Sequence, residues 1–289
     1  MNNINNCLAV SDLHGKQELY KQLFAVIEAE QPEAVFVAGD ISGGYYRFHL
    51  GENVEDFILQ FLKHNLTELK QKLADRYPDI FIILGNDDPR LLEDACLKLD
   101  HLGLWHYIHN RCLKWKEFTV CGYSFVPPSP FQLKDWEKYD VSRYIDVGAI
   151  PPDQGFRTVE TDKLEIEWST IKRDLVNLFS ADDLSHHICL FHSPPYKTKL
   201  DRASLDGRMI DLAPMDVHVG SIAIREFITA RQPLLTIHGH VHESTSITGS
   251  WQDNIGNTLM FNAAHHKPEL AIIHFNPRSL QECHRQIIS

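Results

Sequence analysis

The sequence lacks any apolar run of the roughly 20 residues that a membrane-spanning helix needs. Its first six residues carry no basic charge and no long apolar core, which is not the pattern of a secretory signal. It also contains no internal repeat, no low-complexity tract and no flexible linker rich in Gly and Ser. We therefore predict a single domain over residues 1–289.

Cysteine pairs of the Cys-x-x-Cys type are absent as well. The six cysteines stand singly at positions 7, 96, 112, 121, 189 and 283. Cys7, Cys121 and Cys189 lie within apolar, strand-like runs, where cysteine behaves as a small hydrophobic residue. We therefore expect a reduced, cytoplasmic protein without a disulfide framework.

Positive charge is scarce. The chain has 28 Lys and Arg residues against 39 Asp and Glu residues, a net charge of −11 at pH 7. This balance opposes an extended nucleic-acid surface and binding to an anionic membrane. It leaves open a small phosphate-containing substrate, because bound metal ions can reverse the local field. The sequence makes no prediction about the oligomeric state.

Histidine is abundant, with 17 copies, and several lie where short apolar runs end. Five such runs alternate with helical patterns, among them one from about Val54 to Tyr77 and one with Leu164, Ile171, Leu175 and Leu178 on its apolar stripe. This alternation predicts an α/β fold with parallel crossovers, in which ligands bind at the carboxyl ends of the strands. The polar residues that follow the five runs are Asp12 and His14, Asp40, Asn86, His192, and His240 and His242.

These residues form a candidate metal-binding set of two Asp, one Asn and four His. Asp12 and His14 are two residues apart, as are His240 and His242, so both side chains of each pair can point to one ion. Carboxylate, carboxamide and imidazole ligands suit Mn, Fe and Zn. Seven ligands are too many for one tetrahedral zinc ion, and they suit two metal ions that share a bridging carboxylate.

The order of these blocks resembles the calcineurin-like metallophosphoesterases. That family's pattern is D-x-H, G-D, G-N-H-[DE], a lone His and G-H-x-H, and the matching blocks run from Asp12 to His242. The segment from His192 to Asp201 is similar to the Icc-related bacterial and archaeal subgroup. The resemblance implies a four-layer α-β-β-α sandwich, in which two mixed β-sheets are flanked by helices.

The resemblance also implies a dinuclear site for a small phosphoester substrate. One metal ion would be held by Asp12, His14, Asp40 and His242. The other would be held by Asp40, Asn86, His192 and His240, with Asp40 as the bridge. The expected cofactors are two divalent ions, Mn or Fe being favoured, while Zn would also suit the ligands. The implied reaction is attack on the phosphoester by a metal-activated water or hydroxide.

One position departs from the family's pattern. The His that protonates the leaving oxygen in the family is Asp87 here, and an Asp of ordinary pKa is ionised at neutral pH. A phosphodiester with a good leaving group tolerates this change best, so we predict a phosphodiesterase with Asn86 and Asp87 as catalytic candidates. Arg90 and Tyr196 are candidate substrate-binding residues, and the aromatic cluster at 45–48 could line a substrate cleft.

Two alternatives to a phosphodiesterase remain open. HxH motifs also occur in metal-dependent hydrolases of other esters and of amides. A relative of the family serves as a scaffold, so a non-catalytic or weakly catalytic metal-binding interaction protein is the second alternative. The complete set of seven ligands argues against the scaffold, and the missing His argues mildly for it.

Overall fold

Two six-stranded mixed β-sheets form the centre of the structure, a computed structural model that describes residues 6–44, 54–179 and 183–289. In chain order the strands are β1 (Cys7–Val10), β2 (Ala34–Ala38), β3 (Asp79–Ile83), β4 (His106–Tyr107), β5 (Arg111–Trp115), β6 (Phe118–Tyr123), β7 (His187–Phe191), β8 (Met209–Ile210), β9 (Ala213–Pro214), β10 (Leu235–His238), β11 (Gln252–Ile255), β12 (Thr258–Asn262), β13 (Leu270–Phe275) and β14 (His284–Ile288). The first sheet has the order β14-β13-β1-β2-β3-β4 and the second β11-β12-β10-β7-β6-β5, while β8 and β9 form a separate hairpin.

Seven α-helices of the described residues flank or connect the strands of the two sheets. They are α1 (Gln17–Glu30), α2 (Lys63–Leu73), α3 (Glu93–His101), α4 (Lys163–Trp168), α5 (Ile171–Leu178), α6 (Ile222–Arg231) and α7 (Ser244–Thr248). A π-helical segment, Phe57–Leu62, precedes α2, and the short 3₁₀ turn Ala74–Arg76 follows it, so the predicted helix near 54–77 is present. Across the described ranges, none of the helices has the length and apolar character that a bilayer crossing requires.

The alternation of side chains along each strand builds two apolar layers. In β1, Cys7 and Ala9 belong to the core between the sheets, whereas Leu8 and Val10 belong to the core beneath the helices. The inter-sheet core also contains Phe36 stacked on Phe81. A strand covered on both faces is apolar at nearly every position, which is why these runs contain few polar residues before they end. The four-layer α/β sandwich is confirmed.

The parallel strands bring five strand ends to one edge of the molecule. In the first sheet β1, β2 and β3 are parallel neighbours, and in the second β7 and β10 are parallel neighbours. Antiparallel strands, such as β13 beside β1 and β11 beside β12, lie further out in the two sheets. The carboxyl ends of the parallel strands therefore supply the polar residues predicted to form the site.

One predicted helix is two helices. The apolar stripe that includes Leu164 and Ile171 is interrupted because Ser169 and Thr170 have extended backbone conformations. The Thr170 side chain accepts a hydrogen bond from the N–H of Arg173, which begins α5 at a new N-cap. Leu164 is consequently 68% exposed instead of lying in the core.

The expectation that the chain has no disulfide is wrong. Cys112 on β5 lies directly opposite Cys121 on β6, and the two sulfur atoms are bonded. Position 121 reads as an ordinary apolar strand residue in the sequence, and only the register of the hairpin reveals its partner. The expected cytoplasmic location rested in part on the cysteines being unpaired. The bridge removes that argument.

Candidate metal centre

The candidate ligands lie in the turns that follow the five parallel strands. Two backbone hydrogen bonds join the turns after β1 and β2: the N–H of Asp12 donates to Gly39 O at 3.0 Å, and the N–H of His14 donates to Asp40 O at 2.8 Å. The turn after β10 joins them, because the N–H of His240 donates to the carboxylate of Asp12 at 3.2 Å. The local backbone therefore assembles the site from both sheets.

Four of the candidate ligands have positive backbone φ angles. The residues and angles are Asp12 (59°), His14 (47°), Asp40 (52°) and His240 (70°). Non-glycine residues in this region are uncommon, and strained conformations cost about 1–3 kcal/mol each unless the surroundings impose them. Such strain clusters at functional sites, and here it aims the four side chains into one space.

Two glycines next to the ligands leave no room for a side chain. A Cβ on Gly85 would lie 2.6 Å from Cε1 of His192, and one on Gly239 would lie 2.5 Å from Oδ2 of Asp12. The glycines of the G-N and G-H blocks therefore allow the ligand side chains to approach the backbone closely.

One group of ligands consists of Asp12, His14, Asp40 and His242. One ligand atom from each residue lies within 4.8 Å of the corresponding atoms of the others. Nε2 of His14 is 3.2 Å from Nε2 of His242, which in turn is 2.8 Å from Oδ1 of Asp12. Imidazole nitrogens and carboxylate oxygens at this spacing match the ligands that a divalent transition metal takes.

The second group shares Asp40 with the first. Nε2 of His192 lies 3.0 Å from Oδ1 of Asn86 and 3.3 Å from Oδ2 of Asp40. The ring of His240 is 5.3 Å from the ring of His192, centroid to centroid. Nδ1 of His192 donates to the carbonyl oxygen of Ala38 at 2.7 Å, which points Nε2 toward the group. The structure thus brings all seven predicted ligands together, with Asp40 in both groups.

The buried charges of the two groups fit divalent cations. Burial alone would raise the pKa of Asp12 and of Asp40, but the neighbouring histidines hold both below the ordinary value. Burial opposes the charged form of His14, yet its hydrogen bond to Asp87 and the charges of Asp40 and Asp12 raise its pKa to about 9. The two buried carboxylates thus stay ionised and draw positive charge into the centre, which divalent cations would supply in place of the protons on the histidines.

The two Asp residues after Asn86 have different contacts. Oδ2 of Asp87 lies 2.9 Å from Nδ1 of His14. Asp88 is fully buried and accepts hydrogen bonds from the backbone N–H groups of Ile41, Ser42 and Gly85 at 2.8–3.0 Å. Asp88 therefore ties the turns after β2 and β3 together, a role that our sequence analysis missed although the position matches the final acidic residue of the G-N-H-[DE] block.

A cavity of about 440 Å³ adjoins the ligands, and His14, Asp40, Asn86, Asp87, His240 and His242 line it. The predicted substrate-binding residues are not in its lining. Arg90 pairs with Glu93 at 3.2 Å and lies over the ring of Trp136, and the hydroxyl of Tyr196 donates to Asp216 at 2.5 Å. Their assignment stays a prediction, and the aromatic cluster at 45–48 lies outside the described residues.

Comparisons with known proteins point to one family. The sequence model of the calcineurin-like phosphoesterases matches residues 6–244. Among solved structures, the chain is similar to TT1561 of Thermus thermophilus, with 14% identity, a TM-score of 0.56, and 99% of this chain and 100% of that chain covered. It is also similar to a dimetal phosphatase from Danio rerio, with 13% identity, a TM-score of 0.52 and coverage of 99% and 96%. The comparison with curated proteins finds no match.

Proposed function

Because the chain belongs to the calcineurin-like phosphoesterase family, we propose that it is a dinuclear metal-dependent phosphodiesterase acting on a small phosphoester. The ligands of one divalent ion would be Asp12, His14, Asp40 and His242, and those of the other Asp40, Asn86, His192 and His240. The mixture of carboxylate, carboxamide and imidazole favours Mn or Fe, and Zn would also suit it.

The proposed preference for phosphodiesters over phosphomonoesters rests on the charges of the residues that line the cavity. Among the described residues, no Lys or Arg lines the cavity, whereas Asp87 and Glu243 do. A phosphomonoester dianion brings one negative charge more than a diester and would meet no Lys or Arg there to offset it. Asp87, placed against His14, also does not replace the proton donor that a poor leaving group requires.

The reaction adds water across one ester bond. The oxygen of water forms a bond to phosphorus, the bond from phosphorus to the leaving oxygen breaks, and the proton released by water ends on the leaving group or in solvent. Bound divalent ions supply the positive charge that lowers the pKa of water and offsets the phosphate oxygens. Asn86 directs its Oδ1 toward His192 and keeps its amide N–H groups to donate to a phosphate oxygen.

The test compares two substrates with the same leaving group on metal-loaded protein, bis(p-nitrophenyl) phosphate and p-nitrophenyl phosphate. We expect the diester to have the higher kcat/KM, and Asp40→Asn to abolish turnover of both. Asp94→Asn, an exposed carboxylate outside the cavity, is the control and should keep wild-type rates. A monoester rate equal to or above the diester rate would overturn the preference for diesters.

The same experiment separates the alternatives. A scaffold would take up two metal ions and hydrolyse neither phosphate. A hydrolase of another ester or of an amide would be inactive on both phosphates and active on p-nitrophenyl acetate or a p-nitroanilide. The sharing of Asp40 by two ligand groups favours phosphoester chemistry, because a pair of ions about 3.5–4 Å apart suits displacement at phosphorus.

A further inference from the structure

The cavity beside the metal ligands has a lining that the hydrolysis of a phosphate does not require. Besides the ligands it contains a group of apolar side chains, which we call the apolar wall: Pro130, Phe131, Leu133, Ala203, Leu205, Val219 and Val241. A volume of about 440 Å³ exceeds what a phosphate group alone would occupy, and it lies within the usual range of about 300–1,000 Å³ for small-molecule sites.

Two segments of the chain supply most of the apolar wall, and neither belongs to a strand of the two large sheets. The first, residues 129–133, lies in the long excursion after β6. The second, residues 203–219, runs through the β8–β9 hairpin. The wall is therefore additional to the strand ends that hold the metal ligands, and it can determine which substrate is accepted.

The first segment is held in place by a buried ion pair. Lys134 and Glu137 have fully buried side chains and bind each other. The N–H and the hydroxyl of Ser129 both donate to Glu137, and Nζ of Lys134 donates to Ser129 O at 2.9 Å. The N–H of Phe131 then donates to Ser129 Oγ at 3.1 Å. The aromatic ring of Phe131 is thus presented from an ordered backbone, which lowers the entropy cost of binding.

The second segment is also anchored. The N–H of Ala203 donates to Val217 O at 2.8 Å, and the N–H of Val219 donates to Asp201 O at 3.1 Å. Asp201 is fully buried and also accepts from the ring of His218 at 2.8 Å. The apolar wall is therefore built on fixed backbone on both sides.

The charge of the lining restricts what can lie against this wall. Of the residues described, no Lys or Arg lines the cavity, its histidines lie at the metal-ligand end, and Glu243 belongs to the lining. A second phosphate, a carboxylate or a nucleic-acid backbone would lose its hydration there without a compensating charge. An uncharged apolar group would instead gain from burial.

We propose that the apolar wall binds the non-reacting ester group of the substrate, and that this group is an uncharged aryl or bulky alkyl group rather than a nucleotide or polyphosphate chain. The inference rests on the proposed function, because it names the substrate class of the same site. Phe131 is the specificity-determining residue, since its ring is 57% exposed and free to be covered by a bound ligand. Burial is worth about fourfold in affinity for each methylene, so a phenyl group should outbind a methyl group by at least about 10-fold.

The experiment measures binding, so that it does not depend on turnover. Isothermal titration of metal-loaded protein with diphenyl phosphate, dimethyl phosphate and bis(4-carboxyphenyl) phosphate compares three diesters with the same phosphate group. We expect diphenyl phosphate to bind at least about 10-fold more tightly than dimethyl phosphate. A carboxylate on each ring should remove most of that gain, because whichever ring lies against the apolar wall then brings a charge that no Lys or Arg of the described lining receives.

Phe131→Ala should lower the ratio of the two affinities toward one, and Tyr144→Ala should leave it unchanged. Tyr144 is the matched control because it is an aromatic residue, 73% exposed, outside the lining. Equal affinities for the diphenyl and dimethyl esters, or a Phe131→Ala variant with the wild-type ratio, would overturn the inference. Tight binding of the diphenyl ester by a protein that hydrolyses no diester would keep the apolar site and reject the phosphodiesterase function.

Discussion

The carboxylate of Asp87 lies 2.9 Å from Nδ1 of His14, across 73 residues of sequence. A carboxylate that accepts the Nδ1–H proton of a metal-ligating histidine fixes the ring and directs Nε2 toward the ion. Nε2 of His14 faces the ligand group, 3.2 Å from Nε2 of His242. The residue at the position of the family's acid is therefore placed to orient a ligand.

Replacing Asp87 should weaken metal binding. Loss of a carboxylate of this kind commonly costs about 10–100-fold in metal affinity, so we expect a loss of this size in Asp87→Ala and a smaller one in Asp87→Asn, whose amide oxygen still accepts. Competition with a coloured chelator measures the affinity, and the visible spectrum of the cobalt form reports the geometry. Asp94→Ala is the exposed control. An affinity for Asp87→Ala within about twofold of wild type would show that Asp87 has no positioning role.

Metal content should fall further when the ligand shared by both groups is replaced than when a ligand of one group is replaced. Loaded wild-type protein should contain close to two divalent ions per chain, because Asp40 belongs to both ligand groups. Asp40→Asn should lose most of both ions, whereas His242→Ala should lose mainly one. Elemental analysis after gel filtration measures the content. A single tightly bound ion in the wild type would contradict the dinuclear site.

Stability should depend on pH through Glu137. Burial raises the pKa of Glu137 from 4.5 to about 7 although Lys134 opposes the shift. Between these values the folded chain holds a proton that the unfolded chain has lost, so the free energy of unfolding falls as pH rises. Across this window Glu137→Gln should flatten the fall by on the order of 3 kcal/mol. Urea unfolding at several pH values gives the slope.

The control for Glu137 is Glu160→Gln, which changes an exposed carboxylate in the same excursion. Its pH profile should follow that of the wild type. The slope between these pKa values is the measured quantity because, above the window, Glu137→Gln also leaves Lys134 buried without its charged partner, which lowers stability there. Parallel curves for Glu137→Gln and wild type would contradict the prediction.

The bridge between Cys112 and Cys121 should stabilise the β5–β6 hairpin. It closes a loop with a sequence separation of 9, for which chain entropy predicts about 2–3 kcal/mol. Cys112→Ser, or a reductant added to the wild type, should lower the unfolding midpoint, and reductant should have no further effect on the variant. Cys283→Ser is the control because Cys283 is a free thiol. Six reactive thiols in the unfolded, unreduced chain would show that the bridge does not form.

The local sequence was sufficient to predict the parallel strands and the candidate metal ligands, while the resemblance to the calcineurin-like family supplied the four layers. The runs at β1, β2, β3, β7 and β10 are apolar at nearly every position, and such runs between helical patterns become parallel strands covered on both faces. Parallel strands place their carboxyl ends at the same edge of a sheet, but Asp40 and His192 follow strands of different sheets, and it was the family resemblance that implied their meeting. Hydrophobic periodicity and the polar residues that end each apolar run are local properties, and they identified the strands and the ligands.

Other features depend on which distant segments come into contact. The pairing of Cys112 with Cys121 needed the hairpin register, and the break before α5 needed the extended backbone at Ser169 and Thr170. The residues next to Asp87 in the sequence do not indicate that its partner is His14. The apolar wall joins segments 129–133 and 203–219, and no sequence pattern links these two segments. The sequence by itself determined the strands, their direction and the ligands at their ends. Only the tertiary structure decided how charge and apolar surface are arranged around those ligands, because these depend on contacts between segments that the chain's local pattern does not bring together.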